Sequence, residues 1–239
     1  DVCLALSRKE IDFGILPIEN SSTGSINEVY DLILDYGFFI VGEKSLVIQQ
    51  HLLALPGTKI EEIKAVYSHP QGLAQCSQFL KNYPQWQQIP YQNTAVSAKL
   101  VKEAGDPTKA AIAGSRAAEL YGLEILRASI NDQKDNHTMF IIIGHKPLAH
   151  KKNYKVSLVF WLDNQPGALV RLLNTFANFG INMTKLESRP VKYRPWEYVF
   201  YVDFEGDLSK ENMKLALEEA RTKVKDLRFL GSYPKDEGC

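Results

Sequence analysis

The sequence predicts two successive α/β domains, the second with the βαββαβ order of a ferredoxin-like fold. Three observations lead to this expectation. Short apolar runs alternate with amphipathic helical periods up to about residue 144, a polar and basic stretch containing Pro147 follows at 145–153, and a strand–helix–strand–strand–helix–strand order lies beyond it. A length of 239 residues suits two domains.

In chain order, Phe13–Ile18 is a short apolar run of the kind found in buried parallel strands, and Glu19–Gly24 is a polar loop. Ser25 and Glu28 have capping-box spacing. Ile26, Val29, Tyr30 and Ile33 share one helical face, and Gly37 is placed to end the helix. The same order recurs with a strand at Ala65–Tyr67, a turn at Ser68–Gln71 and a helix face at Leu73, Cys76, Phe79 and Leu80. Ala110–Ala113 predicts a strand and Ser115–Tyr121 a helix, with further strands at Leu123–Arg127 and Thr138–Ile143. The alternation implies a largely parallel sheet. Past 153, Val156, Leu158, Phe160 and Leu162 alternate as a strand, and Leu169, Leu172, Leu173, Phe176 and Phe179 repeat at helical spacing. Strands at about 181–189 and 196–205, a helix bearing Met213, Ala216, Leu217 and Ala220, and a strand at 226–231 complete the second domain.

Composition narrows the function. Twenty-eight Lys and Arg balance 28 Asp and Glu, which argues against a nucleic-acid partner. Apolar stretches such as Met139–Ile143 are far shorter than the roughly 20 residues a membrane helix needs. The three cysteines, Cys3, Cys76 and Cys239, are widely spaced and lack C-x-x-C pairing. Reduced thiols in a cytoplasmic protein, without a structural metal, are the expectation. No charged-then-apolar leader is present at the start, which is Asp1 rather than Met.

Two segments place neutral donors where open α/β sheets bind ligands, at strand ends facing helix N-termini. Asn20, Ser21, Ser22 and Thr23 occupy one, and Ser68 and Gln71 the other, with Gln75 a turn further on. Such groups can hold a small anion, but Ser, Thr and Asn also cap helices, and residue type alone favours capping. Thr138 read alone is a β-branched strand residue, and His69 and His137 have no neighbouring carboxylate in sequence. In the second domain, Gln165–Val170 is a strand-to-helix turn whose Gly167 permits close backbone approach, and Glu187–Pro190 ends a strand with two charges.

At these same residues the sequence resembles a known family. Leu16-Pro17-Ile18-Glu19-Asn20-Ser21 with Gly24, and Tyr67-Ser68-His69-Pro70-Gln71 with Gln75-Cys76, resemble the two active-site segments of prephenate dehydratases. Gly167-Ala168-Leu169-Val170 and Glu187-Ser188-Arg189-Pro190 are similar to the phenylalanine-binding motifs of that family's ACT domain, and Leu230–Pro234 also matches. The spacing is most like the dehydratase and regulatory parts of bifunctional chorismate mutase/prephenate dehydratases. The family usually has Thr-Arg-Phe where this chain has Thr138-Met139-Phe140, so a cation for the substrate dianion is expected to be absent.

The resemblance implies a two-lobed, periplasmic-binding-protein-like catalytic domain over 1–147. It would be partial at its N-terminus, lacking the family's opening Gly-Pro-x-Gly-Thr segment, and an ACT domain would follow over 153–234. It implies decarboxylating dehydration of prephenate to phenylpyruvate without metal or cofactor. Thr138, Asn20, Ser68 and Gln75 would be catalytic, and Glu19, Ser21, Ser22, Thr23, Gly24, Gln71 and Phe140 would bind substrate. L-Phenylalanine would bind Gly167, Ala168, Leu169, Val170, Asn182, Glu187, Ser188, Arg189 and Pro190 where ACT domains pair in a homodimer or homotetramer. Arogenate dehydratase and a catalytically impaired phenylalanine sensor share these features.

Overall fold

The computed structural model describes residues 1–149, 155–191 and 196–236, so the expected linker lies partly outside the described residues, as does Cys239. The chain opens with α1 (Val2–Ser7), β1 (Phe13–Asn20), β2 (Gly24–Ser25), α2 (Asn27–Tyr36) and β3 (Phe39–Val47). It continues through β4 (His51–Ala54), β5 (Ala65–Ser68), α3 (Pro70–Ala74), α4 (Ser77–Leu80), β6 (Gln87–Pro90), α5 (Thr94–Ala104), β7 (Lys109–Ala113), α6 (Ser115–Tyr121) and β8 (Glu124–Arg127). It then returns through β9 (His137–Gly144), and closes with β10 (Lys155–Trp161), α7 (Ala168–Asn178), β11 (Met183–Pro190), β12 (Tyr198–Glu205), α8 (Glu211–Thr222) and β13 (Asp226–Tyr233). Among the described residues, no helix is long and apolar enough to cross a membrane.

Contacts gather the chain into two compact units, one of residues 1–46 with 138–239 and the other of residues 47–137, so the units cut across the boundary expected near residue 150. The smaller unit holds a five-stranded sheet of order β6-β5-β7-β4-β8. β5 runs parallel to β6 and β7, whereas β4 is antiparallel to β7 and β8, so the sheet is mixed rather than largely parallel. Leu52, Val66, Leu80, Trp86 and Ile112 fill its core on one side, and Leu53, Ala98, Val101 and Ala111 on the other.

The larger unit has two four-stranded sheets, β2-β1-β9-β3 and β11-β12-β10-β13. β10 to β13 with α7 and α8 follow the βαββαβ order expected from the sequence. Leu172 and Phe176 of α7 and Met213 and Ala216 of α8 pack on Val156, Leu158, Phe160 and Phe204 of the second sheet. The opposite face of that sheet is also buried. Val159, Val199, Tyr201, Leu230 and Tyr233 share one core with Tyr30, Ile33, Phe38, Ile40, Ile141 and Ile143. β10, which alternation alone would leave half-exposed, is therefore buried on both faces.

Polar contacts reinforce this seam. Lys155 on β10 reaches Glu43 on β3 at 2.8 Å and Asp203 on β12 at 3.3 Å. Burial works against the Lys155 charge, but Asp203 and Glu43 outweigh it and raise its pKa. Tyr201 donates to the Tyr30 carbonyl at 3.0 Å with their rings 4.7 Å apart, and Asp236 takes Lys44 at 2.8 Å and the Ser45 N–H at 2.7 Å.

Candidate active site and effector motifs

β1 and β9 pair antiparallel, with Asn20 opposite Thr138 and Glu19 opposite Met139. The Asn20 Nδ2 donates to Thr138 Oγ1 at 2.9 Å, and both residues are buried. The other end of the Asn20 amide folds the loop. Its Oδ1 accepts from the Ser22 N–H at 3.0 Å, the Ser22 hydroxyl at 2.6 Å and the Thr23 N–H at 3.2 Å, an Asx-type turn. Asn20 then pairs with Gly24, whose φ of 81° closes the hairpin in the left-handed region that glycine tolerates. The expected capping box is not formed. Ile26 is the N-cap of α2 without a side-chain cap, and the Ser25 hydroxyl donates instead to Glu187 Oε2 at 3.0 Å. Gly37 ends the helix with φ 71°, as expected.

Residues alternate across β9, so Thr138 and Phe140 face one way and Met139, Ile141 and Ile143 the other, toward the core shared with Tyr30 and Tyr201. Met139 therefore does not face the Thr138 hydroxyl. Ser21, Ser22, Thr23 and Gly24 are exposed on the hairpin turn, and Glu19 is half-buried.

In the smaller unit, Ser68 is fully buried and donates to the Ile112 carbonyl at 2.8 Å. Its Oγ lies 2.5 Å from where a Cβ on Gly72 would stand. The hydroxyl thus forms a packed link between β5, β7 and α3. His69 is the N-cap of α3, with Nδ1 accepting from the exposed Gln71's N–H at 3.2 Å. The single helix expected over Leu73–Leu80 is two short ones. Asp132 takes the Ser77 hydroxyl at 2.7 Å and the Gln78 N–H at 3.0 Å, starting α4 anew, and its own N–H meets the Gln75 carbonyl at 2.7 Å. Gln75 stands half-buried at the break.

Beside it Cys76 is buried, and burial with the nearby Asp132 charge pushes its thiol up to about 12; burial also raises Cys3. At pH 8 the folded protein is expected to leave both thiols unmodified by iodoacetamide while a denatured sample reacts fully, which intact-mass measurement checks.

The second-domain motifs occupy two places. Gly167, at φ 76°, precedes α7, and Ala168 and Leu169 line a cavity of about 330 Å³ with Leu162, Asp163, Phe200 and Lys225. Val170 is exposed on the first turn. Glu187–Pro190 does not line that cavity. On β11, inward Lys185, Glu187 and Arg189 alternate with exposed Leu186, Ser188 and Pro190. Arg189 pairs with Asp31 of α2 at 3.1 Å, and Glu187 Oε2 accepts from the Ser25 hydroxyl. Asn182 is exposed, and its carbonyl accepts from the Glu205 N–H. Lys185 and Asp132 are missed by sequence reasoning, since each acts through partners remote in sequence. Among the described residues, no three His, Cys, Asp or Glu side chains gather as for a metal ion.

A family model for prephenate dehydratase matches residues 1–148, and one for the ACT domain matches residues 156–222. The chain belongs to the prephenate dehydratase family. It is 37% identical over 238 residues to the bifunctional chorismate mutase/prephenate dehydratase of Enterobacter agglomerans, covering 99% of this chain and 62% of that protein. Prephenate dehydratase from Arthrobacter aurescens, solved in complex with L-phenylalanine, superposes with a TM-score of 0.87 at 30% identity, over 97% of this chain and 78% of that one. GqqA, described as a quorum-quenching acylase, superposes with a TM-score of 0.88 at 31% identity, over 98% and 86%. The chain thus joins a dehydratase-family region to an ACT domain and spans about 62% of the length of its bifunctional relative.

Proposed function

We propose that this chain carries prephenate dehydratase activity, under feedback control by L-phenylalanine bound to its ACT domain. The observation that supports the chemistry best is the buried Asn20–Thr138 pair. Thr138 Oγ1 accepts from Asn20, which directs the hydroxyl's own proton away from that bond and toward a ligand. An N–H donated to Oγ1 also stabilises negative charge on that oxygen as the proton leaves, which offsets the weak acidity of a threonine.

In the proposed reaction the bond from the ring to its carboxylate breaks and carbon dioxide leaves. The electron pair enters the ring, and the C–OH bond breaks as Thr138 protonates the departing oxygen to water. Phenylpyruvate remains, and Thr138 regains its proton from solvent. Aromatisation drives the step, so the protein's task is orientation and proton delivery. In the larger unit the exposed hairpin Ser21–Gly24 and Phe140 are the proposed substrate contacts, and in the smaller unit Gln71 and Gln75 are proposed on the family motif alone. For regulation, the cavity at the α7 N-terminus offers Lys225 to a carboxylate, Asp163 to an ammonium, and Leu162 and Phe200 to an aromatic ring, which supports an amino-acid ligand. β11 is an edge strand with exposed Leu186, Ser188 and Pro190, which supports pairing with a second copy.

The test is phenylpyruvate formation from prephenate with and without phenylalanine, beside arogenate as substrate. Turnover of prephenate that phenylalanine inhibits is expected. Phenylalanine binding without turnover of either substrate would leave only a sensor, and faster turnover of arogenate would reassign the substrate.

A further inference from the structure

The hairpin that carries Asn20 is gripped at both of its ends by one strand of the ACT domain. Lys185 Nζ reaches Glu19 Oε2 at 2.5 Å, and Glu187 Oε2 accepts from the Ser25 hydroxyl at 3.0 Å. Glu19 and Ser25 are themselves register partners across β1 and β2. Lys185 and Glu187 stand two residues apart on β11, so their spacing of roughly 6.6 Å along the strand sets that of the two grips. The Lys185 side chain is only 15% exposed, and its ammonium lies 5.0 Å from the centre of the Tyr30 ring. Arg189 adds a third hold on Asp31 of α2.

We infer that Lys185 is a positioning residue for the catalytic hairpin. It touches none of the reacting groups, because Glu19 and Asn20 project to opposite faces of β1. It fixes the backbone at residue 19, and with it the direction from which the Asn20 amide meets Thr138. Leu186 and Ser188, on the outer face of the same strand, are exposed, so a ligand or second copy held there acts on the hairpin through the β11 backbone. The inference rests on the dehydratase reading for its kinetic part, while hairpin order is measured without substrate.

The test compares Lys185→Met, which keeps the stem and removes the charge, with Lys185→Arg, Glu19→Gln and the Lys185→Met/Glu19→Gln double variant. For each, prephenate kinetics, phenylalanine affinity and inhibition, and amide hydrogen exchange at 19–25 are recorded. Lys185→Met is expected to lower kcat by about 10- to 100-fold with little change in KM, to speed exchange at 19–25, and to bind phenylalanine normally while being inhibited less. Lys185→Arg is expected to restore most of the rate, and the double variant to be no slower than Lys185→Met alone. Wild-type exchange in a folded Lys185→Met protein, or additive losses in the double variant, overturns the inference. A wild-type chain that turns over no prephenate overturns the dehydratase reading instead, and the exchange result still decides on Lys185.

Discussion

Replacing Thr138 by Ala is expected to lower kcat for phenylpyruvate formation by about 10²–10⁴-fold, the usual contribution of a positioned general acid. The substitution removes the hydroxyl that the β1–β9 register brings against the Asn20 amide at 2.9 Å. It also removes one hydrogen bond from the buried Nδ2 of Asn20, which costs about 0.5–1.5 kcal/mol of stability. A fall in activity therefore has two sources, and Thr138→Ser separates them. Serine returns the hydroxyl and its proton without the methyl, so it is expected to recover most of the rate, whereas Thr138→Val keeps the shape and is expected to remain as slow as Ala. Thermal midpoints recorded alongside show whether each variant is folded. Phenylalanine binding at the proposed ACT-domain cavity, whose lining includes no residue of β9, is expected to survive all three changes. Wild-type turnover in a folded Thr138→Ala protein would remove Thr138 from the chemistry and with it the role assigned to Asn20.

Local signals in the sequence survived where the contacts that fix an element are local. Gly37 ends α2 because a left-handed cap needs only its neighbours, and the order of β10 to β13 follows from apolar periods carried within each element. Signals failed where a distant partner competes. Ser25 and Glu28 have capping-box spacing, but Ser25 is drawn to Glu187, 162 residues away, by the docking of β11. The helix expected over Leu73–Leu80 breaks because Asp132, 55 residues beyond Ser77, supplies a second N-terminal cap. β10 shows one apolar period to a reader, while its other face is covered by β3 and α2, whose position no pattern in β10 encodes. The Asn20–Thr138 pair has the same character. Asn20 and Thr138 are separated by 118 residues, and nothing in their spacing joins them; the family motifs named them, and the strand register joined them. Position 139 shows the same limit: the motif marks an exchange of Arg for Met, and only alternation along β9 shows that the Met139 side chain packs against the core around Tyr30 and Ile141.

The largest loss of stability is expected from Gly231→Ala. A Cβ added at Gly231 would stand 1.9 Å from the Ile40 carbonyl oxygen and 2.9 Å from its carbon, and both are backbone atoms of β3. Neither atom can turn aside, so β13 and β3 must separate. Their separation opens the core that Leu230 and Tyr233 share with Ile40 and Ile141. It also strains the Lys155–Glu43 pair, whose carboxylate is almost fully buried. Overpacking of a rigid site typically costs about 1–3 kcal/mol, and a displaced seam adds lost burial at roughly 25 cal/mol per Å². A fall of about 3 kcal/mol or more is therefore expected in denaturant unfolding, with the transition broadening if the ACT sheet detaches before the rest. Gly206→Ala provides the contrast. Its added Cβ would meet the Met213 methyl at 2.0 Å, an equally severe overlap on paper, but that methyl ends a flexible side chain and can rotate away. Gly206→Ala is expected to cost less than about 1.5 kcal/mol. Equal losses in the two variants would mean that the seam between β3 and β13 yields as easily as a methionine, and that the ACT domain is not held on the dehydratase region by direct backbone packing.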